Sequence, residues 1–198
     1  MKISIRSGSA DKNGGIDFKP VFEILNDELT KVNKSLELIC AGGYVMQLHG
    51  YAATADVDAF YDSNAEIEAI IRKIGDEFGI NRPDDLWLNN SISNLNRKPS
   101  ASHYEPEYKF SNLIINIVDL KYVVGMKLEC ARTKDLEHVA SFLQHENNEK
   151  PFELLSELTA IGFRIDISVL LEAYGQAHGM DWLAEFYQNN ESQLEKYY

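Results

Sequence analysis

Two aspartates, Asp56 and Asp58, stand one residue apart in a short segment with strand character. Side chains alternate across a pleated strand, so residues two apart point the same way and the two carboxylates are predicted to lie side by side. Carboxylates this close repel one another unless a cation neutralises them. Mg²⁺ suits such a pair because it takes one or two protein carboxylates and leaves its other positions to phosphate oxygens and water. The pair therefore predicts a Mg²⁺ site for a polyphosphate ligand.

A glycine pair, Gly42 and Gly43, precedes the aspartates and follows a predicted buried strand at residues 36–41. Glycines permit a tight turn and a close approach of the backbone. An apolar helix begins at this turn, and a helix N-terminus attracts phosphate through its unpaired N–H groups and the positive end of its dipole. We therefore expect the glycine turn to bind the phosphate tail and the aspartates to bind the metal.

The order of a glycine pair, a helix and an Asp-x-Asp strand resembles the signature of the nucleotidyltransferase superfamily, which includes DNA polymerase beta. Within that superfamily the chain most resembles the small bacterial nucleotidyltransferases related to abortive-infection and toxin–antitoxin systems. Thr54 and the segments 84–89 and 119–138 carry this narrower resemblance, which spans residues 36–142. It implies a Mg²⁺-dependent enzyme that moves a nucleoside monophosphate from a nucleoside triphosphate to a hydroxyl acceptor.

The resemblance also implies roles for individual residues. In the resembling proteins a lysine points toward the phosphates and an Arg-x-x-Asp corner closes the site, which assigns these roles to Lys127, Arg132 and Asp135. Asp135 either positions the site or acts as a base. The implied catalytic residues are Asp56, Asp58, Lys127 and Asp135, and the implied nucleotide-binding residues are Gly42, Gly43, Thr54, Lys127 and Arg132. Judged on its apolar neighbours alone, Lys127 is equally compatible with a snorkelling surface lysine.

The chain also departs from the family pattern. The superfamily usually has a third carboxylate on a later strand, where this chain has Asn116, and Asp119 reads more naturally as the N-cap of the next helix. Relatives often carry a basic residue shortly before the threonine, where this chain has Ala52 and Ala53. The alternative function is therefore a catalytically impaired, antitoxin-like protein that binds a nucleotide or a partner.

Charge limits the choice of acceptor and partner. The formal net charge of −12 argues against tight nucleic-acid binding, which depends on Lys and Arg neutralising phosphates. A protein or small-molecule acceptor is favoured, and a tRNA end stays open because a short single strand needs few contacts. A cognate partner protein would use the acidic surface and the helical C-terminal region.

The periodicity predicts an α/β (α+β) fold with a small mixed sheet flanked by helices, as in a minimal nucleotidyltransferase fold. Residues 1–118 form the predicted core, and residues 119–198 form a helical region packed on it. Strands are expected at residues 3–6 and 112–118, and residues 81–110 are expected to be irregular. Helices are expected at residues 20–34 and after Asn64, whose helix buries Ile67, Ile70, Ile71 and Ile74.

The remaining features indicate a cytoplasmic protein without membrane contact. There is no amino-terminal apolar segment with a basic flank and no apolar run long enough to span a bilayer.

Cys40 and Cys130 lack metal-ligand spacing and are interpreted as reduced core residues. Trp87 is either a packing anchor or a base-stacking surface, and His138 is either a packed side chain or a ligand.

Overall fold

The computed structural model describes residues 14–94 and 97–198 and divides the chain into two compact units, Met1–Leu120 and Lys121–Tyr198. The strand predicted at residues 3–6 lies outside the described residues. None of the helices in the described ranges is long and apolar enough to cross a membrane.

The first unit is a five-stranded mixed sheet with helices. Its elements are α1 (Lys19–Lys31), β1 (Leu36–Cys40), α2 (Gly42–Leu48), β2 (Val57–Phe60), α3 (Ala65–Phe78), β3 (Leu88–Asn89), β4 (Tyr104–Lys109) and β5 (Leu113–Val118). The strand order is β3-β2-β1-β5-β4. β1 is parallel to β5 and antiparallel to β2, β2 is parallel to β3, and β4 is antiparallel to β5. This mixed sheet confirms the α/β (α+β) prediction.

The strand register assigns residues to the two faces of the sheet. Asp58 of β2 is opposite Asn89 of β3, and Ile39 of β1 is opposite both Phe60 of β2 and Asn116 of β5. Directly opposed residues project to the same face, as do residues two apart on one strand. These five residues therefore share one face. The other face carries an apolar, fully buried set that includes Leu38, Val57, Ala59, Leu88, Leu113 and Ile115.

Helix α3 forms as its sequence predicts. The Asn64 side chain accepts hydrogen bonds from the backbone N–H groups of Glu66 and Ile67, which caps the helix N-terminus. The helix ends at Gly79, which adopts a left-handed conformation. The predicted apolar stripe is buried and consists of Ile67, Ile70, Ile71 and Ile74.

Trp87 is a packing anchor at the start of β3. Its side chain is 1% exposed, its ring stacks on that of Phe18, and its indole Nε1 donates to the Ile71 carbonyl at 2.9 Å. Because the polar edge of the ring is satisfied inside the core, base stacking is excluded for this side chain. The anchor fixes where β3 begins and hence the position of Asn89.

The prediction that residues 81–110 are irregular is wrong in part, since this segment contains β3 and β4. Strand β4 is an edge strand whose side chains are mostly exposed, and it bulges between Pro106 and Tyr108. An exposed, proline-containing edge strand has no alternating apolar pattern, so sequence periodicity does not reveal it. Strand β2 begins at Val57, which leaves Asp56 just before the strand.

The second unit is helical. It contains all but the first residue of α4 (Leu120–Cys130), because the unit begins at Lys121. The other helices are α5 (Thr133–His145), α6 (Pro151–Ala160), α7 (Ile167–His178) and α8 (Met180–Leu194). Gly125 of α4 packs directly on Phe163, since a Cβ there would lie 2.4 Å from the ring. Packing of this unit on the first remains a prediction.

Candidate functional site

The glycine pair is required by the side chains that pack on it. Gly42 has φ +62°, and a Cβ at this position would lie 2.7 Å from Oδ2 of Asp58. A Cβ on Gly43 would lie 2.9 Å from Oγ1 of Thr54. The backbone N–H of Ala41 donates to the Asp58 carbonyl at 2.9 Å, which holds β2 against this turn. Any larger side chain at residues 42 or 43 would displace Asp58 or Thr54.

Asp56 is oriented by a chain of hydrogen bonds that begins in α2. The Gln47 side chain is 5% exposed, and its Oε1 accepts from the Thr54 backbone N–H at 2.8 Å. Its Nε2 donates to the Ile16 carbonyl, also at 2.8 Å. The Thr54 hydroxyl in turn donates to Oδ1 of Asp56 at 2.7 Å. Gln47 therefore fixes the segment that presents Asp56, a role that no local sequence signal indicates.

The second oxygen of Asp56 faces a positive charge. Nη1 of Arg82 lies 3.3 Å from Oδ2 of Asp56, and both side chains remain accessible, at 50% and 19% exposure. Arg82 stands in a turn closed by backbone hydrogen bonds with Asp85. The structure thus supplies a cation beside the aspartates from the segment after α3. The sequence lacks one at Ala52 and Ala53, where the family pattern places it.

Two asparagines share the sheet face of Asp58 but differ in position. Asn116 is two strands away, and its register partner Ile39 is opposite Phe60 rather than Asp58. Its Nδ2 donates to Oε1 of Glu37 at 2.8 Å and to the Leu38 carbonyl at 3.3 Å, so its amide is bound to β1. Asn89, in contrast, is directly opposite Asp58.

The donor set fits a Mg²⁺ ion that takes part of its ligands from outside the protein. Among the described residues, no three His, Cys, Asp or Glu side chains converge on one point, so an all-protein metal cage is not formed there. Asp56 and Asp58 supply two carboxylates. This is the usual protein contribution to a Mg²⁺ site whose other ligands are substrate phosphates and water.

A second cluster lies in the helical unit. Nζ of Lys127 is 2.8 Å from Oδ1 of Asp135, and Nε of Arg132 is 2.6 Å from Oδ2. Burial raises the pKa of Asp135, but the hydrogen bonds from Arg132 and Lys127 outweigh it and hold the pKa below its ordinary value. Because both oxygens accept from cations, this arrangement favours the positioning role of Asp135 over the role of a base.

His138 is neutral at physiological pH. Burial, followed by the positive charges of Lys127 and Lys134, lowers the pKa of His138 to about 4, against the opposing effect of Asp135. Its Nδ1 is buried without a hydrogen-bond partner in the part of the chain that the structure describes. The imidazole is thus a packed neutral ring beside the Lys127–Asp135 pair.

The structure brings the predicted residues together in two groups. Gly42, Gly43, Thr54, Asp56 and Asp58 meet in the first unit. Lys127, Arg132 and Asp135 meet in the second unit. The sequence analysis missed Gln47, Arg82 and Asn89, which long-range contacts place beside the first group.

Comparison with known proteins assigns no family to the chain. No family model, no curated protein and no solved structure matches the chain.

The first prediction concerns the approach of Asp58 to Gly42. Gly79 has φ +66°, close to the +62° of Gly42, but no described atom lies within 4 Å of a Cβ built on it. Gly79→Ala should cost about 1–2 kcal/mol of unfolding free energy, the cost of a left-handed alanine. Gly42→Ala should cost about 1–3 kcal/mol more because of the overlap with Asp58. Urea denaturation measures both, and equal losses would contradict the packing described here.

The second prediction concerns His138. Its pKa is about 4 in the fold and ordinarily 6.5, so the unfolded chain binds more protons between these values. Stability should therefore fall as pH drops from 6.5 to about 4. His138→Gln should reduce the change of the thermal unfolding midpoint with pH over this window. His145→Gln, a substitution at an exposed position of α5, is the matched control.

Proposed function

We propose that this protein is a Mg²⁺-dependent nucleotidyltransferase that moves a nucleoside monophosphate from a nucleoside triphosphate to a hydroxyl acceptor. One observation carries the proposal: Asp58 and Thr54 pack on the bare backbone of Gly42 and Gly43, and Thr54 orients Asp56. This arrangement places the Asp58 carboxylate directly against the backbone and holds the Asp56 carboxylate through Thr54. Structural roles alone do not require that combination.

The charges at the site support a metal–nucleotide ligand. The Asp56 carboxylate faces the guanidinium of Arg82, whose side chain is half exposed. Mg²⁺ held by Asp56 and Asp58 would neutralise the pair and the phosphate charge that develops during transfer. Arg82 is placed to contact phosphate oxygens once Asp56 binds the metal, since a guanidinium binds phosphate as readily as carboxylate.

The reaction follows from this placement. The acceptor hydroxyl oxygen bonds to the α-phosphorus, the bond from the α-phosphorus to the bridging oxygen breaks, pyrophosphate leaves, and the hydroxyl proton is released to solvent. The protein contributes positioning and charge, which account for most catalysis in this chemistry. Gln47 and Thr54 hold Asp56 in place. A contact of Lys127 to the triphosphate stays what the family resemblance implies; within its own unit, Lys127 is held by Asp135, which Arg132 also binds.

The proposed setting is the cytoplasm, with a protein, a small molecule or a tRNA end as acceptor. The net charge of −12 favours an acceptor that binds through few phosphate contacts. The family resemblance places the enzyme in a toxin–antitoxin or abortive-infection system with a cognate partner. Co-purification of a small basic protein encoded beside it would support that setting, and purification as a lone monomer would count against it.

The third prediction tests the activity. The four ribonucleoside triphosphates are titrated with Mg²⁺ into the wild type, Asp56→Asn and Asp58→Asn by calorimetry, and pyrophosphate release is followed in the same samples. Each variant should lose more than about tenfold in affinity and all pyrophosphate release, because one metal-binding carboxylate is gone. Asp27, an exposed residue of α1, gives the matched control Asp27→Asn, which should behave as the wild type. If Asp56→Asn releases pyrophosphate as fast as the wild type does, the proposal is wrong.

The fourth prediction concerns Arg82. Arg82→Gln removes the cation beside Asp56, so Mn²⁺ without nucleotide should bind up to about fivefold more tightly, the scale of an exposed ion pair. The same change should weaken binding of the Mg²⁺–nucleotide complex, because a phosphate contact is lost. Mn²⁺ titration by electron paramagnetic resonance and nucleotide calorimetry measure the two effects. Arg72→Gln, an exposed arginine of α3, is the control. Parallel changes in both affinities would refute this dual role.

A second candidate function is a protein that binds the nucleotide without turning it over. Asn116 stands where the family pattern expects a third acid, and its amide is engaged with Glu37 and Leu38. This reading predicts Mg²⁺-dependent nucleotide binding that requires Asp56 and Asp58 without pyrophosphate release. The same titration therefore separates the two candidates.

A further inference from the structure

A buried amide stands beside the aspartates on the sheet. Asn89 of β3 is the register partner of Asp58 of β2. Opposed residues on neighbouring strands project to the same face with their Cβ atoms about 5 Å apart. The Asn89 side chain is 7% exposed. Its polar atoms are thus adjacent to the proposed metal site and largely shielded from solvent.

Only half of this amide has a protein partner. Oδ1 of Asn89 accepts from the backbone N–H of Ser91 at 3.1 Å and from the Ser91 hydroxyl. A backbone N–H can only donate, so the amide oxygen must face Ser91, and this fixes the orientation of the amide group. Nδ2 is buried and has no hydrogen-bond partner among residues 14–94 and 97–198. A buried donor without a partner destabilises a fold, and a ligand that accepts from it would remove this cost.

The position of Asn89 indicates which part of a nucleotide it meets. Asp58 lies between Gly42, on the β1 side, and Asn89, on the β3 side. With the phosphate tail at the glycine pair, Asn89 is on the opposite flank of the metal site. Beyond its phosphates, a nucleotide offers acceptor oxygens that carry no charge. The sugar hydroxyls are among them.

We infer that Asn89 is a binding residue of this site whose Nδ2 donates to a ribose hydroxyl oxygen of the bound nucleotide. The inference rests on the proposed function, since it takes the nucleotide as the ligand. It makes the site selective for ribonucleotides over the deoxy form that lacks the contacted hydroxyl. Asn89 thereby sets specificity, whereas Asp56 and Asp58 set metal dependence.

The test combines a side-chain deletion with a ligand deletion. The tightest of the four ribonucleoside triphosphates and its 2′-deoxy and 3′-deoxy forms are titrated with Mg²⁺ into the wild type, Asn89→Ala and Ser93→Ala. The wild type should lose roughly three- to tenfold in affinity when the contacted hydroxyl is removed, the size of one neutral hydrogen bond. Asn89→Ala should bind the parent nucleotide more weakly by the same factor and become indifferent to that hydroxyl. Ser93→Ala, at an exposed position of the same segment, is the control and should match the wild type.

A second variant guards against misfolding. Asn89→Ser removes Nδ2 and adds no charge opposite Asp58, so it should keep the fold, which thermal unfolding checks. Its short side chain lacks the amide donor, so it should also lose the dependence on the sugar hydroxyl.

The possible failures are distinguishable. If both Asn89 variants keep the full penalty for each missing hydroxyl while binding still requires Asp56 and Asp58, the role of Asn89 is overturned and the proposed function stands. Weakening by the same factor for all three nucleotides would overturn the sugar contact in favour of a phosphate or base contact. A wild type that binds none of the four nucleotides overturns both the inference and the proposed function.

Discussion

The close approach of two side chains to the Gly42–Gly43 backbone is the constraint on which this site depends. Oδ2 of Asp58 and Oγ1 of Thr54 both occupy the space that a Cβ at these positions would need. The β1–β2 pairing sets one of these approaches, and the Gln47 side chain sets the other by fixing the Thr54 backbone. The packing around α2 therefore holds two polar side chains directly against glycine backbone, which only glycines allow.

In both units a carboxylate is bound by nearby donors. Asp56 accepts from Thr54 and faces Arg82, and Asp135 accepts from Lys127 and Arg132. Breaking a buried pair such as Lys127–Asp135 leaves an uncompensated charge, which typically costs about 3–5 kcal/mol. The pair in the second unit therefore contributes to the stability of the fold. Asp56 is less buried and faces a half-exposed arginine, so the proposed replacement of this partner by a metal ion would cost less.

The sequence predicts the features that depend on local patterns and misses those that depend on register. Glycines, an Asp-x-Asp alternation and the Asn64 cap act within a few residues, so periodicity and turn chemistry suffice for them. Asn89 lies opposite Asp58 because a two-residue strand pairs with β2, and no local sequence pattern in residues 81–110 reveals that register. Arg82 likewise reaches Asp56 only because α3 ends where it does.

The central claim is that Asp56 and Asp58 hold a divalent cation that is bound with a nucleotide. A crystal structure with Mn²⁺ and a non-hydrolysable form of the tightest-binding nucleoside triphosphate tests this most directly, because anomalous scattering locates the metal. The account predicts a peak coordinated by both carboxylates, with phosphate oxygens completing the coordination. A nucleotide bound away from these residues, or a metal peak that touches neither carboxylate, would contradict it.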